Sequence, residues 1–416
     1  MEKEQLIACL DLKAFYSYVE CLDRKLDPFQ APLVVCDDER GEGTIVLSVS
    51  PYLKSQGVPS RLRKRDLPKR DDLIFARPRM SRYIEMSSIV TSILLDFVGE
   101  DDLHIYSIDE SFINLTPYLR FYNLSPYALV KEIIKTINKK TGLKVSAGIS
   151  ENMFLAKCAL EFEGKKTIEG IAYWHKNDIK TKLWPIKPLS SMWGISSRLE
   201  KRLNDLGITT IGELANASEE LLIKYFGVIG KDLKDHANGI DYSNIREKYI
   251  PQNTSLACGQ CLFRDYSKEE SATLIREMCD DLSRRLRRIN KKANTVSLTV
   301  GYTYEFGGGF SRQLTLTKST NDEDSLFEGL LILLRKHCKN VPIRRISISF
   351  CSLEDDNFEQ LDLFNCESEL RKKRSLREAF DNIVSLFGKD AILRASALLE
   401  HSTIKLRHAQ IGGHRR

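Results

Sequence analysis

The run Ile105-Tyr106-Ser107-Ile108-Asp109-Glu110-Ser111-Phe112-Ile113-Asn114-Leu115 sets two adjacent carboxylates between two short stretches of strand formers. This pattern predicts a hairpin with an acidic bend. At about 4 Å and an effective dielectric of about 20, two such charges repel by roughly 4 kcal/mol, or about 3 pKa units for the pair. Ionising both near neutral pH calls for bound cations, and hard divalent ions such as Mg²⁺ prefer carboxylate oxygens. With 57 acidic residues in 416, chance alone supplies about eight adjacent acidic pairs. Asp71-Asp72 and Asp101-Asp102 are read as chance pairs. The flanking strand pattern, together with a similarly placed acid near the amino terminus, sets Asp109-Glu110 apart.

That acid is Asp11, which follows Leu6-Ile7-Ala8-Cys9-Leu10, a run short enough to be a buried strand and too short to span a membrane. The following residues, 12–20, read as a turn into a helix whose first N–H groups could hold a polyphosphate. Read without further context, Tyr16 is a core aromatic on a helix face and Lys157 an ordinary surface lysine.

Together these segments resemble the Y-family DNA polymerases, the error-prone enzymes that copy past damaged template bases, and in particular the UmuC-like bacterial branch. The resemblance runs in order along most of the chain. It takes in Asp11-Leu12 with Phe15-Tyr16, then Ser107-Ile108-Asp109-Glu110, then Ala147-Gly148-Ile149-Ser150-Glu151-Asn152 followed by Leu155-Ala156-Lys157. A helix-hairpin-helix-like stretch over residues 192–207 follows, and Gln360-Leu361-Asp362-Leu363-Phe364 is similar to a bacterial sliding-clamp-binding peptide.

The resemblance implies an α/β multidomain chain of right-hand polymerase architecture. A ferredoxin-like palm would comprise residues 1–11 and 76–167, small fingers 12–75, and a helical helix-hairpin-helix thumb 168–246. A linker at 247–253, an α/β little-finger domain at 254–358, the clamp peptide at 359–365 and a basic helical tail at 366–416 complete the order. It further implies a low-fidelity, template-directed DNA polymerase in which Asp11, Asp109, Glu110 and the Leu12 carbonyl hold two Mg²⁺ ions, with Mn²⁺ as a substitute. Tyr16 beside Phe15 matches the ring that excludes a ribose 2′-hydroxyl, and Lys157 matches a lysine that reaches the triphosphate. In the fingers the chain departs from the commoner pattern. Counting back from Gly57-Val58, Lys54 stands at an arginine position, Pro51 at a tyrosine position and Ser48 at a small hydroxyl position, with Tyr52 one residue out of register. Lysine supplies a point charge to phosphate without the planar fork of arginine.

Implied partners are primer-template DNA, dNTPs and the sliding clamp, with RecA or a UmuD-like subunit as accessory candidates. Gly194, Ser196 and Arg312 are the candidate DNA contacts, and Gln360, Leu361, Leu363 and Phe364 the clamp contacts. A catalytically silent DNA- and clamp-binding repair factor is the alternative from a different class, and a metal-dependent nuclease a third.

The length suits three or four domains. No run approaches the roughly 20 apolar residues of a membrane helix, and the start Met1-Glu2-Lys3-Glu4-Gln5 lacks a signal-peptide layout, so a cytoplasmic location is expected. The ten cysteines then read as reduced core residues. Cys258-Gly259-Gln260-Cys261 has metal-like spacing but no second pair or close histidine. Of the net charge of +6, residues 371–416 supply +7, from eleven Lys/Arg against four Asp/Glu. Further clusters lie at Arg61, Arg63, Lys64 and Arg65, at Arg77, Arg79 and Arg82, and at Arg284, Arg285, Arg287, Arg288, Lys291 and Lys292. Each reads equally as a phosphate-backbone track or as a solvated face. Beyond the linker the pattern predicts a helix over 267–289, strands over 295–304, 310–316 and 343–350, and a helix over 322–338, then tail helices over 376–386 and 391–399.

Overall fold

A computed structural model gives the structure of the chain; it describes residues 5–247, 251, 254–357 and 367–416, with the side chains of 367–370 excepted. The chain divides into two compact units, Met1–Lys248 and Tyr249–Arg416. The expected clamp contacts Gln360, Leu361, Leu363 and Phe364 lie outside the described residues. Among the described residues no helix is long and apolar enough to cross a membrane.

In the first unit, strand β1 (Ile7–Leu12) leads into helix α1 (Phe15–Asp23). A small three-stranded sheet follows, built from β2 (Leu33–Val35), β3 (Ser48–Val49) and β4 (Ile74–Ala76), with helix α2 (Pro51–Ser55) between its last two strands. Next come α3 (Met80–Leu95), β5 (Leu103–Ile105), β6 (Glu110–Asn114), α4 (Tyr118–Tyr122), α5 (Pro126–Thr141), β7 (Val145–Ser150), α6 (Met153–Phe162) and β8 (Ile171–Tyr173). The main sheet has the order β5-β6-β1-β7-β8 and is antiparallel except for the β7–β8 pair. Residues Ile171–Tyr173 lie beyond the expected palm boundary at 167, yet they are the fifth strand of this sheet.

Alternation divides the sheet into two faces. Ala8, Leu10, Leu12, Ile113, Ala147 and Ile149 face one way and share a core with Val90, Ile93 and Leu94 of α3 and Leu129, Ile133 and Ile137 of α5. Ile7, Cys9 and Phe112 face the other way, under Met153, Ala156 and Leu160 of α6. Gly148 lets α6 sit so close: a Cβ there would lie 2.2 Å from the Ala156 carbonyl oxygen. Asn152 caps α6 by accepting from the Leu155 amide at 2.8 Å, and its own amide donates to the Gly239 carbonyl at 2.8 Å. Thus part of the 147–152 motif is structural. Asp102, paired by sequence with Asp101, is buried and held in a two-pronged contact by Arg246 at 2.8 and 2.9 Å.

Four helices complete the unit: α7 (Ser197–Asn204), α8 (Ile211–Asn216), α9 (Glu219–Phe226) and α10 (Val228–Ala237). The second unit is a four-stranded sheet of order β11-β10-β12-β9 covered by two helices. Its elements are β9 (Leu256–Tyr266), α11 (Lys268–Arg288), β10 (Lys291–Tyr302), β11 (Gly309–Thr320), α12 (Glu323–His337) and β12 (Ile343–Asp355). Both helices begin where their caps dictate. Ser267 and Glu270 form a capping box for α11, and Asp322 accepts from the Ser325 amide to start α12. Cys258 and Cys261 stand on β9 in different exposure: the first is half-buried, its thiol pushed up to about 11 by burial, and the second is exposed. An odd spacing in a strand sends side chains to opposite faces, so the two cannot share a metal.

The tail departs from its expected form. Helix α13 (Glu367–Phe387) contains the expected 376–386 helix, but 391–399 forms only a 3₁₀ turn at Ala395–Leu398, followed by α14 (Ile404–His408) and a short ribbon of β13 (Gln410–Ile411) with β14 (His414–Arg415). Two of its arginines meet the acidic face of α11: Arg394 reaches Asp280 at 2.6 Å, Arg407 reaches Asp281 at 2.5 Å and lies 3.8 Å from Glu277, and Ser402 donates to Glu277 at 2.5 Å. His408, buried, lies 3.1 Å from Asp281 and 2.7 Å from Asp390.

Burial disfavours the His408 cation, but the two carboxylates more than offset this and hold its pKa above the ordinary histidine value, even with Arg407 nearby. A raised cationic pKa stabilises the fold fully below the unfolded value of about 6.5, and that contribution is lost as pH rises through the folded value. Asp281, held low by His408 and Arg407 against the cost of burial, acts in the opposite direction and loses its contribution in acid. The protection factors of amides in residues 402–416, which correct for the intrinsic rise of exchange with pH, should therefore fall on the alkaline limb, as pH rises through the folded His408 value. His408→Gln should flatten that alkaline limb.

Candidate active site

The β1–β6 register places Asp11 directly opposite Glu110, so both carboxylates leave the sheet on the α6 face at the same end. Asp109 lies in the bend just before β6, and its carbonyl accepts from the Leu12 amide at 2.8 Å, which joins the end of β1 to the hairpin. The three acids thus meet at one corner of the sheet.

Each acid has a protein partner. Glu110 Oε1 is 2.5 Å from Lys157 Nζ and accepts from Cys9 Sγ at 3.1 Å. Asp11 Oδ2 lies 3.3 Å from Lys165 Nζ, and Asp109 Oδ1 accepts from Ser107 Oγ at 2.7 Å. Glu161 links the two lysines, at 3.0 Å from Lys157 and 2.8 Å from Lys165. With the carboxylates turned onto these partners, no three His, Cys, Asp or Glu side chains among the described residues are set at metal-holding positions. The expected convergence holds for the backbone positions of the acids, while their oxygens are engaged elsewhere.

The electrostatics report an excess of negative charge. Asp11 is pushed up to about 6, first by burial and then by Asp109, Glu161 and Glu110, against the pull of the Lys165 ammonium. Burial and Glu110 push the Cys9 thiol well up, so it stays protonated and able to donate. Burial disfavours the Lys157 ammonium, yet Glu110 and Glu161 hold it above the ordinary lysine range. The Lys54 ammonium is held somewhat low by lost hydration, against the attraction of Asp11 and Asp109. An all-oxygen donor set with unbalanced negative charge fits hard divalent cations, and two lysine ammoniums supply positive charge in their stead.

Around this corner lie the other expected residues. Ala14 adopts a left-handed conformation (φ 49°), and α1 begins after it without a side-chain cap, so first-turn amides carry no side-chain acceptor there. Phe15 is buried and Tyr16 half-buried; loss of hydration and the Asp109 charge raise the Tyr16 hydroxyl. Ser48 Oγ donates to Ser17 Oγ at 2.9 Å, which ties β3 to this turn. The Arg70 guanidinium lies 5.7 Å over the Tyr52 ring. Gly194 (φ 92°) precedes Ser196, the cap of α7, and Arg312 on β11 donates to the Ser311 carbonyl at 2.9 Å.

Most of the basic clusters are spent within the fold. Arg77 pairs with Asp38 and Glu39, Arg79 with Glu20 and Asp23, and Arg82 with Asp23 and Glu85. Arg284, Arg287, Lys291 and Lys292 also meet carboxylates. Lys64 and Arg65 reach Glu42 and Asp66, and Arg63 the Gly43 carbonyl. Arg61, with φ 63°, has its charge felt at Tyr16. Sequence reasoning missed Glu161 and Lys165. Glu161 stands four residues from a lysine on either side, a pairing signal that was available.

The chain matches the impB/mucB/samB family over residues 10–161, the C-terminal domain of that family over 253–363, and its HHH motif over 176–208. It is 37% identical over 412 residues to UvrX of Bacillus subtilis (strain 168), covering 98% of this chain and 97% of that protein. DNA polymerase IV 2 of the same organism is 33% identical over 420 residues, all of both chains. DNA polymerase IV of Pelotomaculum thermopropionicum is 32% identical over 405 residues, 96% of this chain and 97% of that one.

Proposed function

The chain belongs to the impB/mucB/samB family, the Y-family polymerases, and from that premise we propose that it is a DNA-directed DNA polymerase of low fidelity that extends primers past damaged template bases. The observation that carries this reading is Asp11 opposite Glu110 with Asp109 at the adjoining bend. Asp11, Asp109, Glu110 and the Leu12 carbonyl would hold two Mg²⁺ ions, which when bound activate the primer hydroxyl and neutralise the triphosphate. The protein's own part is to fix these oxygens at the end of a rigid sheet. The uncapped first turn of α1 and the Lys54 and Lys157 ammoniums favour the triphosphate, and the Tyr16 ring lies under the sugar to reject ribose.

The sheet of β1 with β5–β8 would be the palm, the small sheet of β2–β4 the fingers, α7–α10 the thumb, and the second unit the little finger. So small a fingers layer makes few contacts to a base pair, and few contacts are lost when the pair is wrong, hence low fidelity. Gly194 and Ser196, at the start of a helix, suit a DNA phosphate, and Arg312 a second one. Gln360, Leu361, Leu363 and Phe364 would dock in the clamp's apolar pocket and raise local concentration at the primer end. RecA or a UmuD-like subunit and a cytoplasmic location belong to the same reading.

Primer extension with dNTPs and Mg²⁺ on undamaged and abasic templates, with and without clamp, tests it. Incorporation on both templates, stimulated by the clamp, is the expected result. Binding of primed DNA with no incorporation under any divalent ion would instead establish a silent repair factor, and cleavage without dNTPs a nuclease.

A further inference from the structure

The sugar-facing ring is buttressed. Tyr16 lies 4.8 Å, centroid to centroid and tilted by 55°, from Tyr83 on α3, and 5.6 Å from Phe15. Phe15 and Tyr83 are themselves in edge contact at 6.3 Å, and both are buried. Tyr83 is also fixed at its far end. Its hydroxyl donates to Glu20 Oε1 at 2.7 Å, and Arg79 holds both oxygens of the same carboxylate at 2.9 and 3.0 Å. Arg79 also reaches Asp23 at 2.7 Å, and Arg82 holds Asp23 at 2.9 Å. Glu20 has no exposed surface, and Arg24 contacts the same carboxylate, so the buried group is met by two guanidiniums and the Tyr83 hydroxyl.

A ring that excludes a hydroxyl by collision works only as well as it resists being pushed aside. Tyr16 itself is half-buried and its hydroxyl has no hydrogen-bond partner among the described residues, so its resistance must come from what lies behind it. We propose that Tyr83 is a positioning residue for sugar discrimination: held by the Arg79–Glu20 pair, it limits how far the Tyr16 ring yields to a ribose 2′-hydroxyl. This rests on Tyr16 being the sugar-excluding ring.

The test is the ratio of kcat/KM for a dNTP to that for the matching rNTP, measured for wild type, Tyr16→Ala, Tyr83→Leu and Tyr83→Phe. Tyr16→Ala should collapse the ratio. Tyr83→Leu, which removes the buttressing ring, should lower it about tenfold, through faster rNTP use, with dNTP incorporation held within about threefold. Tyr83→Phe keeps the ring and loses the bond to Glu20, so an intermediate fall of about threefold is expected, and this variant answers the question if Tyr83→Leu does not fold. Wild-type ratios in both Tyr83 variants alongside a collapsed ratio in Tyr16→Ala would reduce Tyr83 to a packing residue. An unchanged ratio in Tyr16→Ala would overturn the assignment of the ring itself, and the buttress with it.

Discussion

Asp109→Ala and Glu110→Ala are each expected to lower single-nucleotide incorporation on the order of 10³-fold, the scale of losing one preorganised charge-stabilising group. Affinity for primed DNA, measured by gel shift, should stay within about twofold, because neither acid belongs to the elements proposed to grip the duplex. The two variants separate chemistry from folding. Among the described residues the Asp109 carboxylate has only the local bond from Ser107, so its removal leaves no described buried group without a partner. Removing Glu110 leaves the buried Lys157 ammonium with Glu161 alone, so Glu110→Ala should also melt at a lower temperature. An activity loss of equal size in both, with a stability loss in only one, identifies a shared chemical role. Extension that survives both substitutions would remove the polymerase assignment.

Elements whose information is local were legible in the sequence. Helices α11 and α12 could be placed to within a residue because Ser267, Glu270 and Asp322 are local caps, and the hairpin of β5 and β6 followed from alternation. Strand β9 was missed: its apolar residues are broken up by Gly259, Gln260, Arg264 and Asp265, and it is defined by pairing with β12, some eighty residues later. The same distance explains the basic clusters. Arg77 and Arg79 look free in a linear reading because their partners Asp38 and Glu20 lie 39 and 59 residues away. In the tail, 391–399 carries helix-forming residues, but Leu398 and Leu399 stay exposed, so no apolar face is buried that would hold a helix together. At the site, sequence supplied the identity of the acids. What it lacked was the register that sets Asp11 opposite Glu110, and with it the lysines that α6 and the turn after it bring onto them.

Those lysines lead to the second large expected effect. The Lys157 ammonium is 2.5 Å from Glu110 and 3.0 Å from Glu161, with little exposure, so Lys157→Met leaves a buried carboxylate with only the Cys9 thiol as donor. Breaking one partner of such a pair costs about 3 kcal/mol, which for a unit of this size lowers Tm by about 6–12 °C in chelator. The same ammonium competes with any divalent cation for Glu110. Without it, Mn²⁺ followed by electron paramagnetic resonance should bind the DNA-free variant more tightly than wild type, and saturating Mg²⁺ should return most of the lost Tm. The family resemblance gives Lys157 a second task, at the triphosphate, which would show separately as a raised KM for dNTP. If Lys157 serves Glu110 alone, metal affinity rises and KM stays; if it also serves the triphosphate, both rise together. Unchanged metal affinity would mean that the lysine is no stand-in for a cation and that the negative charge of this corner is balanced in some other way.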